Sequence, residues 1–410
     1  MNMSARWLPC AGCAGSRRVP AVKPPLSLLV AMTGLGPFTM QILMPCLPAL
    51  ATALAVSYAT AQLTISVYLV GVACGQLAYG PLSDRFGRKP LLTIGLVLYL
   101  AGSLLAVASP WAWMLVVARV LQALGGCAGL VLGRAMIRDA WSREQSASVM
   151  GLVSTAMSVA PMIAPLLGSL LAEWFGWRAT MAACLCFGLP LLLAVRWRLP
   201  ETLAQRVDMP GLEGFLRAHL ALLRLPAFRG YCAVTSTTAA IFFSFAAGAP
   251  LVVVQGMGHS PTRFALAFMA VSIAWSGGTF TTARLAGRYG SARLLRIGVG
   301  LSTAGAALAV LTVLALPAHI ALFFLPMVVV AWGNGMTQPN AIAAAISVRP
   351  TLAGTASGLI GAAQMGAGGI MTVIAGSLES GSGLATACCM LAPALGTQVA
   401  LAYTRRAVGS

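Results

Sequence analysis

The chain has 410 residues, of which 59% are hydrophobic and 8% are charged, and its mean hydropathy is +0.88. A soluble globular domain carries about 25% charged residues, so this composition excludes that class and predicts an integral membrane protein. The net charge of +18 raises the question of nucleic-acid binding. The basic residues lie between apolar runs without interleaved aromatic residues, however, so we expect no nucleic-acid partner.

Apolar runs long enough to cross a bilayer as helices recur along the whole chain. The first begins near Leu26 and is long enough to span by itself, so no cleavable signal is evident and residues 1–25 are expected to form a basic cytoplasmic tail. The runs predict twelve spans, at residues 27–49, 61–80, 91–108, 113–134, 149–174, 177–195, 230–255, 263–283, 294–316, 319–346, 352–378 and 384–403.

The only long polar connection, residues 196–229, divides these spans into two sets of six. We therefore predict an N-terminal bundle at 26–195, a cytoplasmic linker at 196–229, a C-terminal bundle at 230–403 and a short tail at 404–410. Within the linker, the basic and partly amphipathic stretch 212–224 is expected to lie on the inner leaflet, with binding to another protein as the alternative.

The distribution of lysine and arginine predicts the orientation. With the N-terminus inside, the inner segments hold 23 of the 26 basic residues, whereas the outer segments hold only Arg178 and Arg263. The remaining one, Arg119, lies within the fourth span. By the positive-inside rule, both termini are expected to be cytoplasmic.

Cysteine usage predicts no cofactor. Eight of the ten cysteines lie in apolar runs, where cysteine acts as a small hydrophobic residue. Only Cys10 and Cys13 have metal-ligand or redox spacing, and they have neither a second pair nor a nearby histidine. We therefore expect no metal site.

A charged turn at residues 80–90 separates the second and third spans, and a related sequence recurs later in the chain. A shift of 203 positions brings residues 80–95 onto 283–298 with seven identities in sixteen. A duplication of half the chain with the turn on the same membrane face is typical of the parallel repeats of secondary transporters, which bind substrate at the repeat interface. A chance match between two turns rich in leucine, glycine and arginine is the alternative.

The turn reads G-x-L-x-D-R-x-G-R-K, and Leu47-Pro48-Ala49-Leu50 closes the first span. These motifs resemble the signature of the major facilitator superfamily, in the branch of bicyclomycin and chloramphenicol exporters. The resemblance implies an all-α membrane protein with twelve transmembrane helices in two six-helix bundles. It also implies a monomer in the bacterial inner membrane that exports small molecules by alternating access, with protons as the coupling ion.

The resemblance implies gating roles for the turn. Gly80 and Gly87 are expected to allow close backbone approach and positive φ, and Asp84, beside Arg85 and Arg88, is expected to cap the eleventh span near Thr351. Such a contact would latch the two halves together on the cytoplasmic side. An ordinary solvated turn is the alternative.

The fifth span carries a second gating candidate. Pro161 and Pro165 lie one turn apart and remove backbone donors, which predicts a bend, and Gly168 follows them. The segment resembles the family's antiporter motif, although Ala164 stands where that pattern has glycine. A bend without bearing on transport direction is the alternative.

Charged residues inside a membrane are functional candidates. None of the eight acids is predicted at mid-span, and Arg119 is the one basic residue there, in Arg119-x-x-Gln122-x-x-Gly125, which resembles a family element. At the family's acidic position in the first span this chain has Gln41, at a similar depth. We hypothesise that Gln41 and Arg119 meet in the cavity wall; in the alternative, backbone carbonyls satisfy Arg119 and it only braces helices.

Because neither an amide nor a guanidinium can titrate, these two residues weaken the case for proton coupling. An uncompensated guanidinium predicts neutral or anionic cargo. Further residues are expected to line the cavity: Phe38, Met44, Tyr68, Met157, Phe242, Phe245, Trp275, Asn334, Gln338 and Asn340. The amides around Pro339 are expected to bind cargo or to mark an unwound turn.

The sequence therefore predicts an inner-membrane exporter of small molecules, drugs or an endogenous product such as a siderophore. An importer, or a facilitator without proton coupling, is the alternative within transport. A receptor or membrane enzyme is disfavoured, because the chain has no soluble domain, no nucleophile paired with a base and no metal cluster.

Overall fold

The computed structural model describes residues 23–142, 145–146, 149–153, 159–203, 211–315 and 319–408. Predicted features at Cys10, Cys13 and Met157 lie outside these residues. The described chain is helical throughout, in fourteen α-helices: α1 Leu26–Gln41, α2 Leu47–Ala53, α3 Tyr58–Phe86, α4 Arg88–Val107, α5 Ala112–Ala140, α6 Ala160–Phe175, α7 Arg178–Arg198, α8 Leu212–Leu223, α9 Pro226–Leu251, α10 Pro261–Tyr289, α11 Ser291–Ala315, α12 Ile320–Ser347, α13 Ala353–Leu378 and α14 Leu384–Val408.

Eleven of the predicted spans correspond to helical segments that are long and apolar enough to cross a membrane, among the described residues. In the fifth predicted span, 149–174, residues 154–158 lie outside the described part, and α6 forms its second portion. The first span is broken: a 3₁₀ turn at Met44–Cys46 separates α1 from α2. Pro45 and Pro48 cause this break because neither can donate a backbone hydrogen bond.

Several helices extend past the predicted boundaries. α3 continues to Phe86 and α4 begins at Arg88, so the charged turn is mostly helical and Gly87 alone makes the reversal, with φ of 101°. The expectation that Gly80 also needs special geometry is wrong, since Gly80 is helical and no heavy atom would meet a Cβ there within 4 Å. α14 likewise continues to Val408, beyond the predicted end at residue 403.

The internal repeat is visible in the backbone. α3 and α10 each have 29 residues and begin 203 positions apart. Ser57 and Ser260 cap their N-termini with a side-chain oxygen, and Gly87 and Gly290 end them in positive φ. A chance match between two turns does not explain equal lengths and matching caps at both ends, so the structure favours a duplication.

Within the described chain, successive spans run antiparallel, so their ends and the turns between them fall at two opposite ends of the molecule. We call the end that holds Gly87, α8 and Gly290 the linker end, and the end that holds residues 54–57, 257–260 and 379–383 the far end. Trp111, Trp113 and Trp174 are exposed at the far end, and Trp197 is exposed at the linker end. Exposed tryptophan at both ends of a helical bundle is typical of the two interfaces of a bilayer.

The helices pack through small residues, and the repeat uses corresponding positions. A Cβ added to Gly95 in α4 would lie 2.6 Å from the Ala128 Cβ atom in α5. A Cβ added to Gly298 in α11, the counterpart of Gly95, would lie 2.6 Å from Thr337 Oγ1 and 2.7 Å from the Gly333 carbonyl oxygen in α12. Glycine therefore lets neighbouring helices come into close contact in both halves.

This contact predicts opposite effects for the same substitution at two positions of α11. Gly298→Ala should lower the free energy of unfolding by about 1–3 kcal/mol, because the Gly333 backbone cannot move away without shifting α12. Gly300→Ala is the matched control, since no heavy atom lies within 4 Å of its added Cβ, and it should raise stability by about 0.5–1 kcal/mol through helix propensity. Thermal unfolding of the two variants in the same detergent measures the difference, and equal melting temperatures would contradict the packing described.

Candidate functional site

The two halves of the chain are bonded to each other at the far end and at mid-depth. Tyr58 Oη donates to the Ala247 carbonyl oxygen at 2.6 Å, and Gln62 Nε2 donates to the same oxygen. The Thr262 backbone N–H donates to Glu173 Oε1 at 3.1 Å. Within the described residues, every hydrogen bond between the halves lies at the far end or at mid-depth, so the far end is closed.

At the linker end the halves enclose a cavity of about 600 Å³. Its walls come from α3 and α5 in the first half and from the end of α12 and the start of α13 in the second. α8 adds Phe215 and His219, and Leu222 of the same helix is buried against α9 and α13. The linker helix therefore packs at the cavity. The expectation that it rests on the leaflet describes only its opposite face, where Leu216 and Leu220 are exposed.

The charged turn forms an ion-pair network beside this cavity. Arg88 is almost buried; its guanidinium lies 2.7 Å from Asp84 Oδ1 and 2.9 Å from Asp139 Oδ2, and it also donates to Ser83 Oγ. Glu201 of the linker accepts the Arg88 backbone N–H at 3.1 Å and so covers the start of α4. The turn is thus tied to α5 and to the linker within its own half.

The expected latch between Asp84 and the helix near Thr351 is not made in this structure. Asp84 and Thr351 line the same cavity, but the Asp84 carboxylate pairs with Arg88, and α13 begins without a capping side chain. Arg85 is exposed and lies over the Phe86 ring. The Asp84 carboxylate is engaged by Arg88 instead, and the gating roles of Gly80, Asp84, Arg85, Gly87 and Arg88 stay predictions.

The prolines of α6 lie where the two halves touch. Pro161 is in the first turn of α6, where its missing N–H costs nothing, while Pro165 leaves the Pro161 carbonyl oxygen without its helical donor. Ser272 Oγ of α10 lies 3.3 Å from that oxygen and 3.4 Å from the Phe268 carbonyl oxygen. The serine hydroxyl can donate its proton to either of them. Gly168 packs against the Ile42 carbonyl, where a Cβ would clash.

Arg119 is fully buried between α1, α3 and α5. Its Nε donates to the Thr64 carbonyl oxygen at 3.1 Å, and its Nη1 donates to the Thr39 carbonyl oxygen at 3.2 Å and to Gln122 Oε1 at 3.0 Å. The guanidinium carbon lies 4.3 Å from the centre of the Tyr68 ring. Arg119 thus joins three helices through backbone carbonyl oxygens, as in the alternative interpretation of its role.

Gln41 does not bond to Arg119. Gln41 is buried and its Oε1 has no hydrogen-bond partner among the described residues, and the same holds for Arg119 Nη2. The hypothesis of a direct Gln41–Arg119 contact is therefore wrong for this structure, because Thr39 and Gln122 occupy the guanidinium instead. Both N–H donors of Arg119 Nη2 therefore lack a partner among the described residues inside the membrane-spanning region.

The predicted aromatic lining residues lie in different surroundings. Phe38 is half-buried against Phe187, and Met44 is buried in the 3₁₀ turn. Phe245 is 1% exposed within a cluster of phenylalanine rings, so it is a core residue of the second half. Phe242 and Trp275 are half-buried with ring centroids 5.8 Å apart, and Phe242 packs against the core of the second half and against a cluster that contains residues of both halves.

The predicted amides of α12 are mostly structural. The expectation of an unwound turn around Pro339 is wrong, since α12 is helical through this region. Asn334 accepts from Ser302 Oγ of α11 at 2.8 Å, and Asn340 donates to Thr282 Oγ1 of α10 at 3.4 Å, so both brace helices. Gln338 Oε1 instead accepts from Gln364 Nε2 of α13 at 2.7 Å.

Gln364 was missed by the sequence analysis, as were Gln62 and Gln76. These glutamines lie on α13 and α3, the helices through which the halves pack, and Gln76 contacts Gly358 and Gly361. Glutamine opposite a glycine-rich helix inside a membrane span is a signal that could have found them, because a span contains few polar residues.

Comparison with known proteins identifies the family. Residues 29–372 match the model of the Major Facilitator Superfamily. The chain is 34% identical over 337 residues to a chloramphenicol resistance protein of Pseudomonas aeruginosa, covering 79% of this chain and 76% of that protein. It is 29% identical over 350 residues to a bicyclomycin resistance protein homolog of Haemophilus influenzae, covering 84% and 87%.

A solved structure shares the fold. The crystal structure of the human organic anion transporter MFSD10 superposes with a TM-score of 0.68 at 16% identity, covering 92% of this chain and 98% of that one. At this identity the likeness concerns the fold alone. With two helix bundles, an internal repeat, a family match over most of its length and relatives among drug-resistance proteins, the chain is a transporter of the major facilitator superfamily.

Proposed function

We propose that this transporter exports small neutral or anionic molecules across the bacterial inner membrane by alternating access, as a monomer with both termini in the cytoplasm. The carrying observation is the closed far end combined with a cavity at the linker end. If the basic linker end faces the cytoplasm, this arrangement is the state in which an exporter takes up its cargo. The names of the relatives, which describe chloramphenicol and bicyclomycin resistance, support export of uncharged drugs.

Proton-coupled antiport is the mode that we propose for this export. A facilitator without proton coupling is the second candidate, and one observation favours it. The described acids, Asp84, Asp139, Glu173, Glu201, Glu213 and Glu379, all lie at helix ends or in connections. Gln41 is an amide that cannot carry a proton.

Chloramphenicol uptake into everted membrane vesicles tests direction and coupling together. An exporter accumulates the drug inside everted vesicles, and antiport predicts that an uncoupler abolishes the accumulation. Accumulation that persists without a proton gradient would overturn antiport, and efflux from preloaded everted vesicles in place of uptake would overturn export. Vesicles from cells that lack the gene are the control.

Alternating access predicts that a covalent link across the far half stops transport. A Cβ on Gly369 of α13 would lie 3.7 Å from the Leu69 Cβ atom of α3, a separation suited to a disulfide. The double variant Leu69→Cys/Gly369→Cys should lose chloramphenicol export on oxidation and regain it with reductant. Each single variant is a control for the native cysteines, and full export by the oxidised double variant would contradict a moving far end.

The buried guanidinium predicts discrimination by charge. Arg119 has no acidic partner among the described residues, so cells with the transporter should resist a neutral phenicol more than the lipophilic cation ethidium. Arg119→Lys should reduce phenicol export at least about tenfold. The planar guanidinium of arginine reaches two carbonyl oxygens and Gln122 at once, and the compact ammonium group of lysine cannot. Arg263→Lys, an exposed change at the far end, is the control. Preferential export of ethidium by the wild type would contradict this account.

A further inference from the structure

Two arginines of α5 face the linker-end cavity and have no partner in the part of the chain that the structure describes. Arg134 and Arg138 are four residues apart, so they lie on one face of the helix, and both are exposed and line the cavity. Neither has a hydrogen bond or ion pair within the described residues. Two like charges at this spacing repel each other, so the helix gains nothing from holding them together.

The positive end of a second helix lies in the same cavity. The first residues of α13, from Ala353 to Thr355, line it, and no side chain caps this N-terminus. Arg138 Nη1 lies 4.0 Å from the position that a Cβ on Gly354 would occupy, so a guanidinium and a helix N-terminus of the opposite half lie side by side. The Thr355 hydroxyl also lines the cavity and makes no hydrogen bond with described residues.

The acids nearby do not neutralise this positive cluster. Asp84 also lines the cavity, but its carboxylate lies 2.7 Å from Arg88, and Arg88 is shared with Asp139. His219 holds its Nδ1 atom 2.8 Å from the Phe215 carbonyl oxygen on α8. Arg88 and its two acids together carry one net negative charge, so with Arg134 and Arg138 these five groups keep a surplus of one positive charge.

We propose that Arg134, Arg138 and the N-terminus of α13 form a binding site for an oxyanion, a carboxylate or phosphate group of a molecule that enters the linker-end cavity. Two guanidinium forks beside a helix N-terminus without a side-chain cap match the charge and acceptor geometry of such a group. The volume of about 600 Å³ leaves room for an attached drug-sized body. Because α5 and α13 belong to opposite halves, a bound anion bridges them at an end where the described residues make no hydrogen bond between the halves.

This proposal deepens the proposed function and rests on it only for the statement that the bound anion is cargo. The site itself requires no transport. An anion that draws Arg138 and α13 together would favour closure of the linker end, which is the step that follows loading in an exporter.

Benzoate and benzamide are the matched probes, since they have the same shape and differ in charge. Saturation-transfer NMR with purified full-length protein in a non-ionic detergent measures both affinities without a gradient. Wild type should bind benzoate at least about tenfold more tightly than benzamide. Arg134→Gln/Arg138→Gln should remove that preference, because a charged hydrogen bond contributes about one tenfold step or more in affinity.

Two further variants keep the test specific. Arg284→Gln removes an exposed linker-end arginine outside the cavity and should leave benzoate affinity unchanged. Arg134→Lys/Arg138→Lys retains the charge and should restore part of the preference. Unchanged thermal unfolding of each variant shows that it is folded.

The source of the anion is distinguished in nanodiscs. If phosphatidylglycerol displaces benzoate and phosphatidylcholine does not, the occupant is a lipid headgroup, and if neither displaces it, the occupant is a soluble molecule. The site is overturned if benzoate and benzamide bind alike to wild type, or if the double glutamine variant binds benzoate as wild type does. Export of chloramphenicol can fail or succeed independently of either result.

Discussion

The bilayer core offers no hydrogen-bonding partner, so each polar group within a span must be satisfied by the protein itself. Arg119 meets this constraint in part: carbonyl oxygens of two neighbouring helices and the Gln122 side chain accept from its Nε and Nη1 atoms, whereas Nη2 has no partner among the described residues. The Pro161 carbonyl oxygen, deprived of a helical donor by Pro165, faces the Ser272 hydroxyl of the other half. The same constraint thus holds one bundle together and gives the two bundles a point of contact.

Because polar groups within the spans bond mainly inside their own half, few hydrogen bonds must break when the halves move relative to each other. The bonds that close the far end are few. The neutral ones contribute only about 0.5–1.5 kcal/mol net each, and the one bond to a carboxylate, from the Thr262 N–H to Glu173, is exposed. The strongest electrostatic contacts, between Arg88 and its two acids, lie within one half and need not break when the halves rock. The proposed alternating access requires a second state within a few kcal/mol of this one, and cargo would shift the balance between the two.

The sequence predicted the features that depend on period and composition: the helices, the repeat of 203 positions and the family. The sequence did not predict which of several nearby groups a polar side chain bonds to, because those groups come together only in the folded structure. Gln41 and Arg119 are at similar depth, yet Thr39 and Gln122 take the guanidinium. The sequence predicted that Asp84 contacts the other half. In this structure its carboxylate pairs with Arg88, which lies only four residues along the chain.

Distances between spin labels at the two ends test the central claim, that one end opens as the other closes. Arg85 and Arg349 are exposed at the linker end, and Thr52 and Gln255 are exposed at the far end, so each pair can carry labels in a cysteine-free background. On addition of chloramphenicol, the account predicts that the linker-end distance distribution shifts to shorter values while the far-end distribution shifts to longer ones. Distances that change in the same direction at both ends, or at neither, would contradict it.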